Sequence, residues 1–334
     1  MTKHIYIYSP SGAVRDKPAF RRGIKRLQAL GHEVEVDEAA LAASQRFAGD
    51  DETRLAAIHR AAASGADVAL ISRGGYGLTR ILPGIAYKKV AKAIERGTQF
   101  VGLSDFTAFQ LALLAKTGAM TWAGPSLCEG FGASDKSDAA DGHGGVGQGG
   151  PDEIMQACFE DMLLGQGEGT GWRQHKESAA DIALAGAFHA RRLGDQAAFT
   201  LHDGQLWGGN LTVLCALLGT PYFPPIEGGF LFLEDVGEHP YRIERMFTQL
   251  LHAGVLKRQK AIVLGQFTEY RLAPHDKGFK LQSAVNWLRQ HVKVPILSNL
   301  PFGHVQTKVL LPVGAKADLV VQGRDALLLW GHTD

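Results

Sequence analysis

The sequence predicts a two-domain α/β protein, with a parallel sheet in its first half and a more strand-rich second half. Three observations predict it. Short apolar strands alternate with helical patterns over roughly the first 130 residues, which is how a parallel sheet covered by helices is written. That alternation breaks at a polar, Gly-rich stretch near 165–178. Beyond it, strand-like runs dominate. A chain of 334 residues is long enough for two domains at about 150 residues each.

The elements follow in order. His4–Tyr8 alternates as a strand and ends in Ser9-Pro10-Ser11-Gly12, a turn. Pro18–Leu30 has helical spacing and stops at Gly31; His32–Val36 alternates again. Asp51–Ser64 is an Ala-rich helix stopped by Gly65, and Asp67–Ser72 is a buried strand. Lys88–Arg96 is a helix, Gln99–Leu103 a strand, Phe106–Lys116 an amphipathic helix and Met120–Ala123 a strand. Residues 134–151 are polar and rich in glycine, which reads as a surface loop or insertion; its His143 has no second metal ligand at useful spacing. Residues 152–164 return to a helical pattern. The expected division is therefore 1–165, a linker at 166–178, and 179–334. In the second domain Ala180–Leu193, Ala198–Gln205, Gly229–Asp235, Ala261–Gln266 and Val294–Leu297 read as strands. Tyr241–His252 and Lys280–His291 read as helices, and Val309–Leu329 as hairpins.

Composition narrows the function classes. With 35 basic against 34 acidic residues and a net charge of +1, no global field favours nucleic acid or a membrane surface. No run of about 18 apolar residues marks a membrane span, and the first residues lack a signal-peptide pattern, so a cytoplasmic location is expected. Cys128, Cys158 and Cys215 are odd in number and widely spaced. They suggest neither a disulfide framework nor a metal site, and are expected as small buried apolar residues.

Four segments carry candidate chemistry. In Val101-Gly102-Leu103-Ser104-Asp105-Phe106-Thr107 a strand gives way at once to a helix. A sharp turn there exposes a hydroxyl and aims the first helical N–H groups at the same point, where they can hold an oxyanion. The match to the G-x-S-x-G turn is partial, because Phe106 replaces the last glycine, and simple helix capping by Ser104 or Asp105 explains the local pattern equally. Ile71-Ser72-Arg73-Gly74-Gly75-Tyr76-Gly77 also follows a strand, so both segments fall on the carboxyl edge where parallel sheets bind ligands. It is a backbone cradle or a plain tight turn. In Leu233-Glu234-Asp235-Val236-Gly237-Glu238, Glu234 ends an apolar strand and needs a partner if buried; Asp235 and Glu238 read equally as caps. In Leu300-Pro301-Phe302-Gly303-His304 a histidine sits on a loop, and is the best placed of 13 histidines to act as a base, or is a surface residue. A serine nucleophile needs a base, and the base needs an acid that fixes its tautomer. Ser104, Glu234 and His304 supply one of each.

Taken together in chain order, the segments resemble the LD-carboxypeptidases (muramoyltetrapeptide carboxypeptidases) of peptidase family S66. The matching residues are Arg73–Gly77, Gly102–Ala108, Trp122-Ala123-Gly124-Pro125, Leu206-Trp207-Gly208-Gly209-Asn210-Leu211, Phe232–Glu238, Pro240-Tyr241-Arg242-Ile243 and Gly303-His304. The resemblance implies an N-terminal Rossmann- or flavodoxin-like sheet domain and a mostly β C-terminal domain, with the active site between them and a homodimer as the usual assembly. It implies Ser104 as nucleophile, Glu234 as acid and His304 as base, with oxyanion donors from the backbone of Asp105 and of Gly74 or Gly75. It implies removal of the terminal D-Ala from murein tetrapeptide, without metal or cofactor, in cytoplasmic peptidoglycan recycling. The Gly-rich 134–151 stretch departs from the family pattern.

For the substrate's free carboxylate and its surroundings the candidates are Arg73, Tyr76, Gly208, Gly209 and Asn210; Arg73 reads equally as the partner of a structural carboxylate. Two rival readings stand beside this one. A microcin-C-immunity-type hydrolase of peptidyl or aminoacyl nucleotides would carry the same motifs. A non-catalytic two-domain binding protein would explain the glycine loops, but not three reactive side chains each following a strand end. A metallohydrolase lacks an HExxH motif or clustered ligands.

Overall fold

A computed structural model of the chain describes residues 1–134, 150–176, 191–193 and 196–332. Residues 135–149 of the expected loop, His143 among them, and most of the expected strand at 180–193 lie outside the described residues. The chain divides into two compact units: Met1–Gln166 with Gln306–Leu311, and Gly167–Val305 with Pro312–Asp334.

Unit 1 is built from β1 (His4–Tyr8), α1 (Lys17–Ala29), β2 (Glu33–Val36), α2 (Asp51–Ala63), β3 (Val68–Ile71), the short α3 (Leu78–Ile81), α4 (Tyr87–Glu95), β4 (Gln99–Gly102), α5 (Thr107–Thr117), β5 (Thr121–Ala123) and α6 (Glu153–Leu163). The five strands run parallel in the order β5-β4-β3-β1-β2, with Ile5 opposite Val68 and Val101 opposite Trp122. All four residues of β3 are buried, whereas β2, at the edge, is largely exposed. A central parallel strand is covered on both faces and so has no polar alternation; this is why Val-Ala-Leu-Ile reads as a continuous apolar run. Pro18 stands in the first turn of α1, where its missing N–H costs nothing, and Asp16 caps it by accepting from Ala19 N at 2.7 Å.

Unit 2 begins with β6 (Gly169–Arg173) and continues through β7 (Arg191–Leu193), β8 (Gln196–Asn210), α7 (Leu211–Ala216), β9 (Phe230–Val236), α8 (Pro240–His252), β10 (Ala261–Thr268), α9 (Leu281–His291) and β11 (Ile296–Leu297). β12 (Leu311–Val313) spans the point where the chain passes back into unit 2, and β13 (Lys316–Gln322) and β14 (Asp325–Leu329) complete it. The sheet is mixed, in the order β11-β10-β9-β8-β13-β14-β6, with β7 paired to β8. Strands β8 to β11 are parallel to one another, and β13 and β14 form the expected antiparallel hairpin.

Three features differ from the sequence expectation. The stretch read as a linker holds β6, antiparallel to β14 with Trp172 opposite Ala326. Its glycines serve close packing: a Cβ at Gly169 would lie 2.7 Å from the Leu328 carbonyl, and one at Gly171 would lie 2.8 Å from the Leu327 side chain. Residues 211–216, passed over in the sequence, form α7, capped by Asn210. Cys215 is buried as expected, but Cys128 and Cys158 are only partly covered. Among the described residues no helix is long and apolar enough to cross a membrane.

Candidate active site

The two units each carry part of the predicted chemistry. In unit 1, β4 ends at Gly102, Leu103 is fully extended, and Ser104 turns sharply into the left-handed region at φ 66° before α5 begins. A non-glycine residue there costs about 1–2 kcal/mol, so the turn is a strained elbow held by its surroundings. Those surroundings are apolar and tight. Phe106 is fully buried and stacks on Phe109 at 4.8 Å. Gly102 makes the room: a Cβ on it would lie 2.7 Å from both Phe106 and Ile71. The glycine missing from the end of the motif is thus unnecessary, because Gly102 gives up the space that Phe106 takes. Ser104 is half-buried among buried neighbours.

The Gly74–Gly75 turn lies against this elbow. A Cβ on Gly74 would stand 2.8 Å from Ser104 Cβ and 3.0 Å from its Oγ, so only glycine lets this backbone approach the hydroxyl. Arg73 is partly exposed; its Nη1 donates to the Ala13 carbonyl at 3.2 Å, and its guanidinium lies beside Gly12 and Gly75. No structural carboxylate holds it among these contacts. Tyr76 is exposed, its ring tilted against Phe47 at 5.8 Å with Arg46 over its face. Asp105 is buried, and its carboxylate accepts from Ser11 Oγ at 2.6 Å and from Leu78 N at 2.9 Å.

In unit 2 the residues expected as acid and base are in contact. His304 Nδ1 lies 2.7 Å from Glu234 Oε2. A carboxylate only accepts, so Nδ1 carries the proton and Nε2 is the basic side of the ring. Glu234 is fully buried, and its other oxygen accepts from Asn210 Nδ2 at 3.1 Å. The same amide donates to Asp235 Oδ1 at 3.0 Å, while Asn210 Oδ1 caps α7 by accepting from Val213 N. Asn210 faces Glu234 in the β8–β9 register, so the sheet itself aligns amide and acid. On the other side of β9, β10 places two residues, Gly265 and Gln266, against Glu234, a bulge between the Leu264 and Phe267 pairings. Burial pushes Asp235 above the usual carboxylate range, and neighbouring Glu234 adds to that despite the bonds from Thr212, Val236 and Asn210.

Of the predicted substrate-side residues, Asn210 is engaged in holding Glu234 and Asp235. Gly208 and Gly209 both have φ above 130°, and a Cβ on Gly208 would run into the Phe232 carbonyl, so sheet packing by itself requires glycine at 208. Gly303 reads in the sequence only as the residue before His304. Its φ is 136°, and a Cβ there would sit 3.1 Å from Glu234 Oε2. Ser11, Leu78 and Arg54 were missed as site residues. The signal for Ser11 was available: it follows β1, on the same carboxyl edge as Gly74 and Ser104. Among the described residues no group of three or more His, Cys, Asp or Glu has the arrangement to hold a metal ion.

Residues 5–124 match the N-terminal domain model of the LD-carboxypeptidases, and residues 203–319 match the C-terminal domain model. The chain is similar to the crystal structure of muramoyltetrapeptide carboxypeptidase from Oxalobacter formigenes, at 35% identity and a TM-score of 0.78 over 98% of both chains. It is 28% identical to the murein tetrapeptide carboxypeptidase of Pseudomonas aeruginosa over 308 residues, 89% of this chain and 86% of the relative. It is 25% identical to the microcin C7 self-immunity protein MccF of Escherichia coli over 252 residues, 73% of this chain and 68% of the relative.

Proposed function

The chain belongs to the LD-carboxypeptidase family of hydrolases, and from that membership we propose that it is a serine-type carboxypeptidase. Its substrate is a murein tetrapeptide, from which it releases the terminal D-Ala by hydrolysing the bond between an L-centre and D-Ala. We place the reaction in the cytoplasm, in peptidoglycan recycling, and the enzyme in a homodimer. The observation that carries the reading is the 2.7 Å bond between His304 Nδ1 and buried Glu234, a base whose tautomer is already set.

In this mechanism Ser104 Oγ attacks the scissile carbonyl while His304 Nε2 takes its proton. Glu234 keeps the ring oriented and stabilises the imidazolium as it forms. The negative charge on the carbonyl oxygen is received by backbone N–H groups of Asp105 and of the Gly74–Gly75 turn; losing one such donor costs roughly 3–4 kcal/mol of transition-state stabilisation. The tetrahedral intermediate collapses, the C–N bond breaks, and the imidazolium proton goes to the leaving amine of D-Ala. Water, deprotonated by His304, then attacks the acyl-enzyme and regenerates the Ser104 hydroxyl. Arg73, beside the glycine turn, is the assigned partner of the substrate's terminal carboxylate, and Tyr76 is the adjacent exposed aromatic surface.

The test is Ser104→Ala, which abolishes D-Ala release from murein tetrapeptide, followed by mass spectrometry, while circular dichroism stays unchanged. Full activity in that variant overturns the assignment. The similarity to MccF supports one alternative, hydrolysis of an aminoacyl nucleotide. Cleavage of an aminoacyl sulfamoyl adenylate without D-Ala release would decide for it.

A further inference from the structure

The loop after β1, Ser9-Pro10-Ser11-Gly12, has no role in the mechanism above, yet it is tied to the glycine turn beside Ser104 more heavily than a plain turn requires. Ser9 Oγ and Ser72 Oγ share a hydrogen bond at 2.5 Å. Gly12 N donates to the Gly74 carbonyl at 3.2 Å. Arg54, fully buried, donates from Nη1 to the carbonyls of both Gly77 (2.9 Å) and Pro10 (3.3 Å), and pairs with Asp51 at its other end. Its guanidinium also lies over the Phe47 ring at 4.9 Å. The last tie comes from the residue after the nucleophile. One oxygen of Asp105, Oδ2, accepts both from Ser11 Oγ and from Leu78 N. The β1, β3 and β4 loops therefore meet on a single buried carboxylate.

We infer that Asp105 is a positioning residue: through Ser11 and Leu78 N its side chain fixes the Gly74–Gly75 turn against the Ser104 elbow, so that the turn's amides are aimed before substrate arrives. The inference rests on the assignment of Ser104 as nucleophile. Its physical basis is preorganisation. An oxyanion donor is effective only if it needs no reorientation during the reaction, and a misplacement of about 1 Å costs on the order of 100-fold in rate. Gly74 and Gly75, having no side chains, cannot hold their own position by packing. The Asp105 side chain and the Ser11 hydroxyl hold it for them. The charge of Asp105 is secondary: Asp105→Asn can keep an oxygen in the Oδ2 position to accept both donors.

The experiment compares wild type, Ser11→Ala, Asp105→Asn and Asp105→Ala, measuring the rate at which a fluorophosphonate labels Ser104, together with kcat and KM for murein tetrapeptide. Ser11→Ala is expected to lower kcat and labelling rate by about 10-fold and Asp105→Ala by about 100-fold, with KM within about twofold. Asp105→Asn is expected to restore both rates to within about 10-fold of wild type. If Asp105→Ala does not fold, Ser11→Ala, which leaves the elbow untouched, carries the test. Labelling and kcat at wild-type level in Ser11→Ala, with wild-type labelling intact, overturn the positioning role alone. A wild-type enzyme that is not labelled at Ser104 overturns the nucleophile assignment, and this inference falls with it.

Discussion

His304 and Glu234, seventy positions apart in sequence, are joined by a 2.7 Å hydrogen bond whose acceptor is fully buried. The bond gives a loop histidine one defined tautomer, as the role of base proposed for it requires. Glu234→Gln keeps the shape of the acid but allows its amide to donate to Nδ1, which selects the wrong tautomer. We expect kcat to fall by about 10²–10⁴-fold with the far-ultraviolet circular dichroism unchanged. A kcat within threefold of wild type would show that the pair does not act in catalysis.

Gly303 sits directly under that pair. Its φ of 136° and the 3.1 Å approach of a would-be Cβ to Glu234 Oε2 make Gly303→Ala doubly unfavourable. The strained backbone costs about 1–3 kcal/mol, read as a lower urea midpoint, and activity should fall along with stability as Glu234 is displaced. A midpoint equal to wild type would sink this account of the loop.

Ser104 stores strain at φ 66°. Ser104→Ala removes the hydroxyl and keeps the strain, whereas Ser104→Gly relieves it. Relief of about 1–2 kcal/mol, less the entropy glycine adds to the unfolded chain, leaves Ser104→Gly more stable than Ser104→Ala by about 0.5–1 kcal/mol. Thermal denaturation of the two variants checks the sign.

Two buried aspartates of unit 1 should give stability a pH dependence of opposite sign. At Asp37, burial acts upward, but hydrogen bonds from Arg60, Tyr6 and Ala39 N outweigh it and hold the carboxyl below its usual value. Its contribution is present above the unfolded value of about 3.9 and is lost as pH falls through the lower folded value. Asp37→Asn should thus cost about 2 kcal/mol at pH 7 and progressively less as pH falls below about 4. At Asp105, burial raises the carboxyl despite the bonds from Ser11 and Leu78 N and the nearby Arg54. Its ionisation penalty is absent below about 3.9 and accumulates as pH rises through the raised folded value. Relative to Asp105→Asn, the wild type should therefore gain stability between pH 7 and pH 4. Urea titrations at these pH values decide both, and a difference of the opposite slope refutes the assigned environment.

Much of this was legible in the sequence for reasons specific to the residues. Val68–Ile71 announces a central parallel strand because both of its faces must be apolar. Glu234 stands out because a carboxylate at the end of Phe-Leu-Phe-Leu has nowhere to go without a partner. What stayed hidden depends on contacts that local pattern does not encode. Ser11 meets Asp105 across 94 positions; its place after β1 puts it on the carboxyl edge, but the local pattern does not name its partner. β6 reads as a linker because glycine suggests freedom, whereas at 169 and 171 it reflects the closeness of β14. Asn210 reads as one candidate for the substrate's carboxylate, and the β8–β9 register engages its amide with two acids, a contact no local pattern encodes.

The return of Gln306–Leu311 to unit 1 has a consequence for biosynthesis. Leu310 supplies the side chain that a Cβ on Gly124 would meet at 2.9 Å, and Thr307 Oγ1 donates to Asp152 at 2.5 Å, so these contacts wait for residues made after nearly all of the other unit. Domains usually mature on the ribosome from the N-terminus onward. Here the first-made half stays unfinished until residues 167–305 of the other unit have been translated, and a product stalled before residue 306 carries Ser104 on an incomplete scaffold.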